Sequence, residues 1–116
     1  MNPSKFTAQV RQGAGLSTLD LAGEINGFAE AALNEAYVDA ESSDPPLIAL
    51  NFTGVSYINS TGIALIVGLL ARARKAKRRL AVYGLSEHYT EVFQITRLSD
   101  FMQIVANEAD LQDIKI

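Results

Sequence analysis

Cysteine is absent from the chain, and histidine occurs once, as His88. The first absence excludes a disulfide framework, a thiolate metal site and a cysteine nucleophile, and it fits the cytosol. The second leaves His88 without a partner imidazole. Beside Glu87 and Glu91, on the exposed side of a helical segment, it reads as a solvated residue rather than a ligand or base. Neither a Gly-Lys-Ser phosphate loop nor a Gly-x-Gly-x-x-Gly after a strand is present, so nucleotide chemistry has no motif here and no cofactor is implied. Glu24 has no second carboxylate placed near it by spacing, so it supports no acid or base role, and no enzyme is expected.

Long hydrophobic runs are missing too. The longest, residues 63–71, falls far short of the roughly 20 needed to cross a bilayer, and it reads as a buried helix. No stable membrane insertion is expected. Residues 1–6 hold no apolar stretch behind a basic start, so no signal peptide is expected and the cytoplasm is the expected location. Nor is positive charge in excess: the net charge is −3, which argues against a general nucleic-acid binder, because such proteins gain affinity by neutralising phosphates.

What is present is apolar surface: 48% of the residues are hydrophobic, enough to build one core, and residues 1–116 read as a single domain without repeat, low-complexity tract or linker. Residues 6–12 and 16–21 alternate apolar and polar side chains around Gly13-Ala14-Gly15, predicting an antiparallel hairpin. Residues 23–27 break that pattern. Phe28, Ala31, Ala32, Leu33 and Ala36 then recur at helical spacing up to about Asp39. After the prolines at 45 and 46, residues 47–51 form a continuous apolar run, as in a strand covered on both faces.

From Thr61 the period changes, and Ile63, Ile66, Val67 and Leu70 make the apolar stripe of a second helix, with Asn59 and Ser60 both suited to cap its start. Residues 80–84 read as a strand, and 86 or 87 to 96 as a helix with Tyr89, Val92 and Phe93 inward. Residues 102–105 read as a short last strand and 107–114 as a last helix. This alternation predicts an α/β fold: a mixed sheet of four to five strands, with a leading antiparallel hairpin, parallel central strands and about four helices.

Six of the ten basic residues, Arg72, Arg74, Lys75, Lys77, Arg78 and Arg79, fall within eight positions. Cations at a helix C-terminus complement its dipole, which accounts for the cluster without a partner. An acidic partner or anionic lipid headgroups are the alternative.

The most informative stretch is Asn51-Phe-Thr-Gly-Val-Ser-Tyr-Ile-Asn-Ser-Thr-Gly-Ile63, which joins the central strand to the second helix. It resembles the STAS domain of anti-sigma factor antagonists, in which a strand, an apolar loop and Asp-Ser-Ser or Asp-Ser-Thr lead into Gly and an apolar helix. Leu21-Ala-Gly-Glu-Ile-Asn26 is similar to the family's Leu-Ser-Gly-Glu-Leu-Asp, and Tyr83-Gly-Leu-Ser86 with Val92-Phe93 matches its downstream strand and helix. Asn26, Asn51 and Asn59 stand where the family commonly has Asp.

The resemblance implies Ser60 as a phosphoacceptor, with Thr61 as second candidate. Its implied partners are an anti-sigma factor with serine/threonine kinase activity and a serine phosphatase that resets the mark. The unphosphorylated chain would dock the kinase and free a sigma factor. Asn26, Thr53, Ser56, Asn59, Ser60, Thr61, Gly62 and the loop after Gly84 form the implied contact surface, with weak self-association as a further expectation. Physically, a hydroxyl at a helix N-terminus lies where free amides and the dipole hold phosphate, and Gly62 is expected to leave that approach uncrowded. Ser and Thr at such a position are also ordinary caps. A second reading is a STAS scaffold or accessory subunit of a signalling assembly or membrane transport system, never phosphorylated. A phospho-receiver shares the alternating plan but needs an Asp where this chain has Asn51.

Overall fold

The Gly-Ala-Gly turn forms where the pattern places it. In the computed structural model, which describes residues 5–114, strands β1 (Thr7–Gly13) and β2 (Leu16–Ile25) pair antiparallel, from Gly13 opposite Leu16 out to Thr7 opposite Ala22. β2 then lies beside β3 (Leu47–Ile58), β3 beside β4 (Arg79–Tyr83) and β4 beside β5 (Gln103–Ile104), each pair parallel, giving the order β1-β2-β3-β4-β5. Parallel neighbours need crossovers, and those before β3 and β4 run through α1 (Glu30–Glu41) and α2 (Ser60–Lys75), while α3 (Glu87–Ile95) lies on the way to β5. The predicted mixed sheet is present, with five strands.

The helices share one face of the sheet. Leu33, Tyr37 and Ala40 of α1, Ile66, Leu69 and Ala73 of α2 and Phe93 of α3 join Leu19, Leu21, Ile48, Leu50, Leu80 and Val82 in one buried cluster. On the other face Leu47, Ala49, Ala81 and Tyr83 are covered by Leu111 from a 3-10 segment, Glu108–Asp113. The apolar run of β3 is therefore buried on both sides, as its lack of alternation requires.

That second face also carries a polar row. Asp20, Asn51 and Tyr83 occupy neighbouring registers on β2, β3 and β4. Arg11 grips Asp20 through Nε at 2.6 Å and Nη2 at 2.9 Å, and reaches Glu108 at 2.8 Å, which in turn accepts from the Tyr83 hydroxyl at 2.8 Å. These bonds, led by Arg11, hold the Asp20 and Glu108 carboxyls below their ordinary range. Burial first, and then the bond to Glu108, push the Tyr83 phenol up to about 12.

Several boundaries differ from the sequence reading. β2 does not break at Gly23: that residue adopts φ +91, the register shifts around it, and pairing continues to Ile25, so Glu24 lies in a strand opposite Tyr57. β3 continues past Asn51 to Ile58. A 3-10 turn, Gly27–Ala29, precedes α1 and leaves Phe28 96% exposed, outside the stripe that helical spacing assigned to it. In α2, Val67 faces solvent and Leu69 is buried in its place. The predicted last helix is the 3-10 segment capped by Asn107, which accepts from the Asp110 N–H at 3.2 Å.

The basic cluster divides among separate tasks. Arg78 is buried, donating to the Pro45 carbonyl at 2.6 Å and to Asp44 at 2.6 Å, so it fastens the loop between α1 and β3. Arg72 pairs with Glu41 at 2.9 Å and lies 4.5 Å above the Tyr37 ring, while Arg74 lies 4.8 Å from the centre of the Phe101 ring. Arg72, Arg74 and Lys75 occupy the last turn of α2, where the dipole favours cations.

Candidate functional site

The site arises because β3 outruns β4. Pairing with β4 ends at Asn51 opposite Tyr83, whereas pairing with β2 runs on to Ile58 opposite Ile25. Residues 52–58 thus form a ledge with β2 alone, and the chain turns at its tip into α2. Asn59 caps that helix in extended conformation: its Oδ1 accepts from the Gly62 N–H at 2.8 Å and its own N–H donates to the Ile25 carbonyl at 3.2 Å. Of the two predicted caps, then, Asn59 is the one used. Ser60 becomes the first helical residue, exposed, its hydroxyl without a hydrogen-bond partner among the described residues.

Gly62 serves a different purpose from the expected one. It is buried, and a Cβ there would run into the Ile25 carbonyl oxygen and come within 2.9 Å of Ile58 Cγ2. Its missing side chain lets α2 start close against the ends of β2 and β3, rather than clearing a path to Ser60. The Asn59 side chain takes the Gly62 N–H and the Asn59 carbonyl takes the Ile63 N–H at 2.9 Å, leaving the Ser60 and Thr61 N–H groups as the unused donors of the first turn among the described residues. No acidic residue occupies that turn, so the positive end of the α2 dipole is unneutralised within it.

Asn26 reaches the same corner from β2. Its side chain accepts from the Phe28 N–H at 2.9 Å, shaping the turn that places Gly27 against Thr61 and turns Phe28 into solvent. Tyr57, three residues before Ser60, is 51% exposed. Two large apolar side chains therefore stand in water beside the corner. From the other side α3 approaches through Tyr89, whose hydroxyl lies 2.9 Å from the Ile58 nitrogen.

The predicted surface residues spread along the ledge and the corner at its tip. Asn26, Asn59, Ser60, Thr61 and Gly62 meet at the corner. Thr53 lies at the far end of the ledge against Gly84, with about 16 Å of strand between it and Ile58, and exposed Ser56 stands between the two groups. Sequence reasoning missed Phe28 and Tyr57. Neither gave a local signal: Tyr57 sits in a mostly apolar stretch from Val55 to Ile58, and helical spacing argued for the burial of Phe28.

The fold and this strand-to-helix corner define a small α/β domain of a known kind. Residues 5–111 match the STAS domain family, and the chain belongs to it. It is 31% identical over 91 residues to the anti-sigma-B factor antagonist of Listeria monocytogenes, covering 78% of this chain and 80% of that one. An anti-sigma factor antagonist from Mycobacterium paratuberculosis has the same fold, with a TM-score of 0.81 at 19% identity over 97% of this chain and 95% of that one. So does the Bacillus cell fate determinant SpoIIAA in its phosphorylated form, with a TM-score of 0.71 at 20% identity over 94% of this chain and 100% of that one. Among the described residues no helix is long and apolar enough to cross a membrane.

Proposed function

We propose that this chain is an anti-sigma factor antagonist governed by phosphorylation of Ser60. Unmodified, it docks an anti-sigma factor that is also a serine kinase, and a sigma factor is released; the kinase then phosphorylates Ser60 and docking ends; a serine phosphatase restores the unmodified form. The observation that carries this reading is the exposed, unpartnered Ser60 hydroxyl at the start of α2, set beside exposed Phe28 and Tyr57, in a chain that aligns with an anti-sigma-B factor antagonist over most of both lengths.

The chemistry follows from that placement. The unused Ser60 and Thr61 amides and the helix dipole can receive a phosphate without refolding the domain. A phosphoserine carries about −1.5 to −2 charge near neutral pH. At this corner that charge must be desolvated by any partner that packs over Ser60, which opposes docking. No catalysis is required of this chain.

Three Asn residues stand where the family commonly has Asp. Each now has a structural task of its own: Asn59 caps α2, Asn26 caps the 3-10 turn and Asn51 binds Asp20.

The test is incubation with the cognate anti-sigma kinase and Mg-ATP, followed by phosphate mapping by mass spectrometry and a pull-down. Transfer to Ser60 is expected, absent in Ser60→Ala. Ser60→Ala should still bind the kinase, whereas Ser60→Glu should bind at least about tenfold more weakly. Binding by Ser60→Glu equal to wild type, or phosphate found only outside Ser60 and Thr61, would defeat the proposal.

A further inference from the structure

We infer that Tyr89 is the positioning residue of the Ser60 corner, its hydroxyl fixing the Ile58 peptide so that α3 sets where the acceptor is presented. The consequence for phosphoryl transfer rests on the function proposed above; the fixing of the corner does not.

The need for such a clamp comes from the sheet. Beyond Asn51, β3 has no β4 partner. Along a strand the N–H and C=O groups of successive residues point alternately to the two flanks, and buried main-chain groups require partners. The Asn59 N–H turns toward β2 and finds the Ile25 carbonyl. Ile58, which is buried, turns its main-chain groups toward the flank β4 has vacated. There the Tyr89 hydroxyl accepts from the Ile58 N–H at 2.9 Å and lies 3.4 Å from the Ile58 carbonyl oxygen.

Tyr89 is itself held. Ser86 caps α3 by accepting from the Tyr89 N–H at 3.2 Å, and the His88 ring meets the Tyr89 ring edge-on with centroids 4.8 Å apart. The residues just before the acceptor are therefore fixed from two flanks, by Ile25 and by Tyr89. Acceptor placement matters because phosphoryl transfer is catalysed mainly by positioning, and a shift of about 1 Å can cost on the order of 100-fold in rate.

Tyr89→Phe in the full chain removes the hydroxyl and keeps the ring, and two measurements test the assignment. In the free protein, NMR hydrogen exchange at the Ile58 amide is expected to quicken about tenfold, with the amides of Ile48 and Leu50 at the sheet centre unchanged. With Mg-ATP and the cognate kinase, kcat for transfer to Ser60 is expected to fall about tenfold while KM for this chain changes less than about twofold, because Phe28 and Tyr57 are untouched. A general loss of structure would instead speed exchange throughout and raise KM. Unchanged exchange at Ile58 overturns the inference whatever the kinase does, and so does unchanged kcat once protection is lost. A wild-type chain that accepts no phosphate defeats the proposed switch instead, and the exchange result still decides whether Tyr89 holds the corner.

Discussion

The Asn51 side chain donates to the Asp20 carboxylate at 2.8 Å while its own carbonyl oxygen accepts from the Thr53 N–H at 3.0 Å and the Thr53 hydroxyl at 2.6 Å. The amide gives on one side and receives on the other, which a carboxylate cannot do. A carboxylate would keep the Thr53 bonds and set two anions against each other. Asn51→Asp is expected to lower stability by about 1–2 kcal/mol at neutral pH, allowing for the partial exposure of Asp20. The loss should shrink as acid protonates one of the pair, which urea unfolding at pH 7 and pH 4 would show.

Arg11 governs the acid limb of stability. Its hydrogen bonds are the main reason that Asp20 and Glu108 have lowered pKa values in the fold. A carboxyl whose folded pKa lies below its unfolded one stabilises the protein above the unfolded value, roughly pH 4, and that contribution is lost as pH falls through the folded value. Arg11→Met should therefore lower Tm at pH 7 and flatten its decline below about pH 4. Parallel Tm curves for mutant and wild type across that interval would contradict the assignment.

At position 59 the bonded atom is an oxygen that Asn and Asp both possess. Asn59→Ala should cost about 1 kcal/mol through loss of the cap. Asn59→Asp should cost nothing, and the added charge at the positive end of α2 should give back a few tenths of a kcal/mol at low salt. Chemical denaturation of the two variants decides between this and a role for Asn59 that depends on its amide nitrogen.

Phe28 contributes little to folding, since almost all of its surface is in water. Phe28→Ser should leave unfolding free energy within about 0.5 kcal/mol of wild type. Affinity for the anti-sigma partner should drop about tenfold or more if Phe28 anchors the contact, as buried aromatics commonly do. Calorimetry of both variants with the partner measures this, and equal affinities would remove Phe28 from the contact surface.

The hairpin, the alternation of elements and the buried central strand were legible because hydrophobic spacing reports them directly. Phe28 was misread because a 3-10 turn before α1 changes the register of the helix, and spacing cannot reveal that turn. β3 was ended too early because Asn51 is polar; its polarity belongs to a side-chain network on the second face, not to a strand terminus. Gly62 showed that a side chain was missing without showing what occupied its place. Tyr89 was correctly expected to point inward, but that its hydroxyl meets the Ile58 peptide depends on β3 outrunning β4, a fact of strand lengths invisible to local pattern.

The two rims of the sheet are unequal: β5 contributes two residues and β1 seven. A two-residue border offers few free main-chain groups to recruit a strand from another molecule, so of the two outermost strands β1 is the one along which an ordered cross-chain ladder can grow. On that side the Arg11 side chain, half in water, is drawn across the second face by Asp20 and Glu108, so its charge lies there and not along the border. Crowding many copies together therefore tests the solubility of this chain along β1 first.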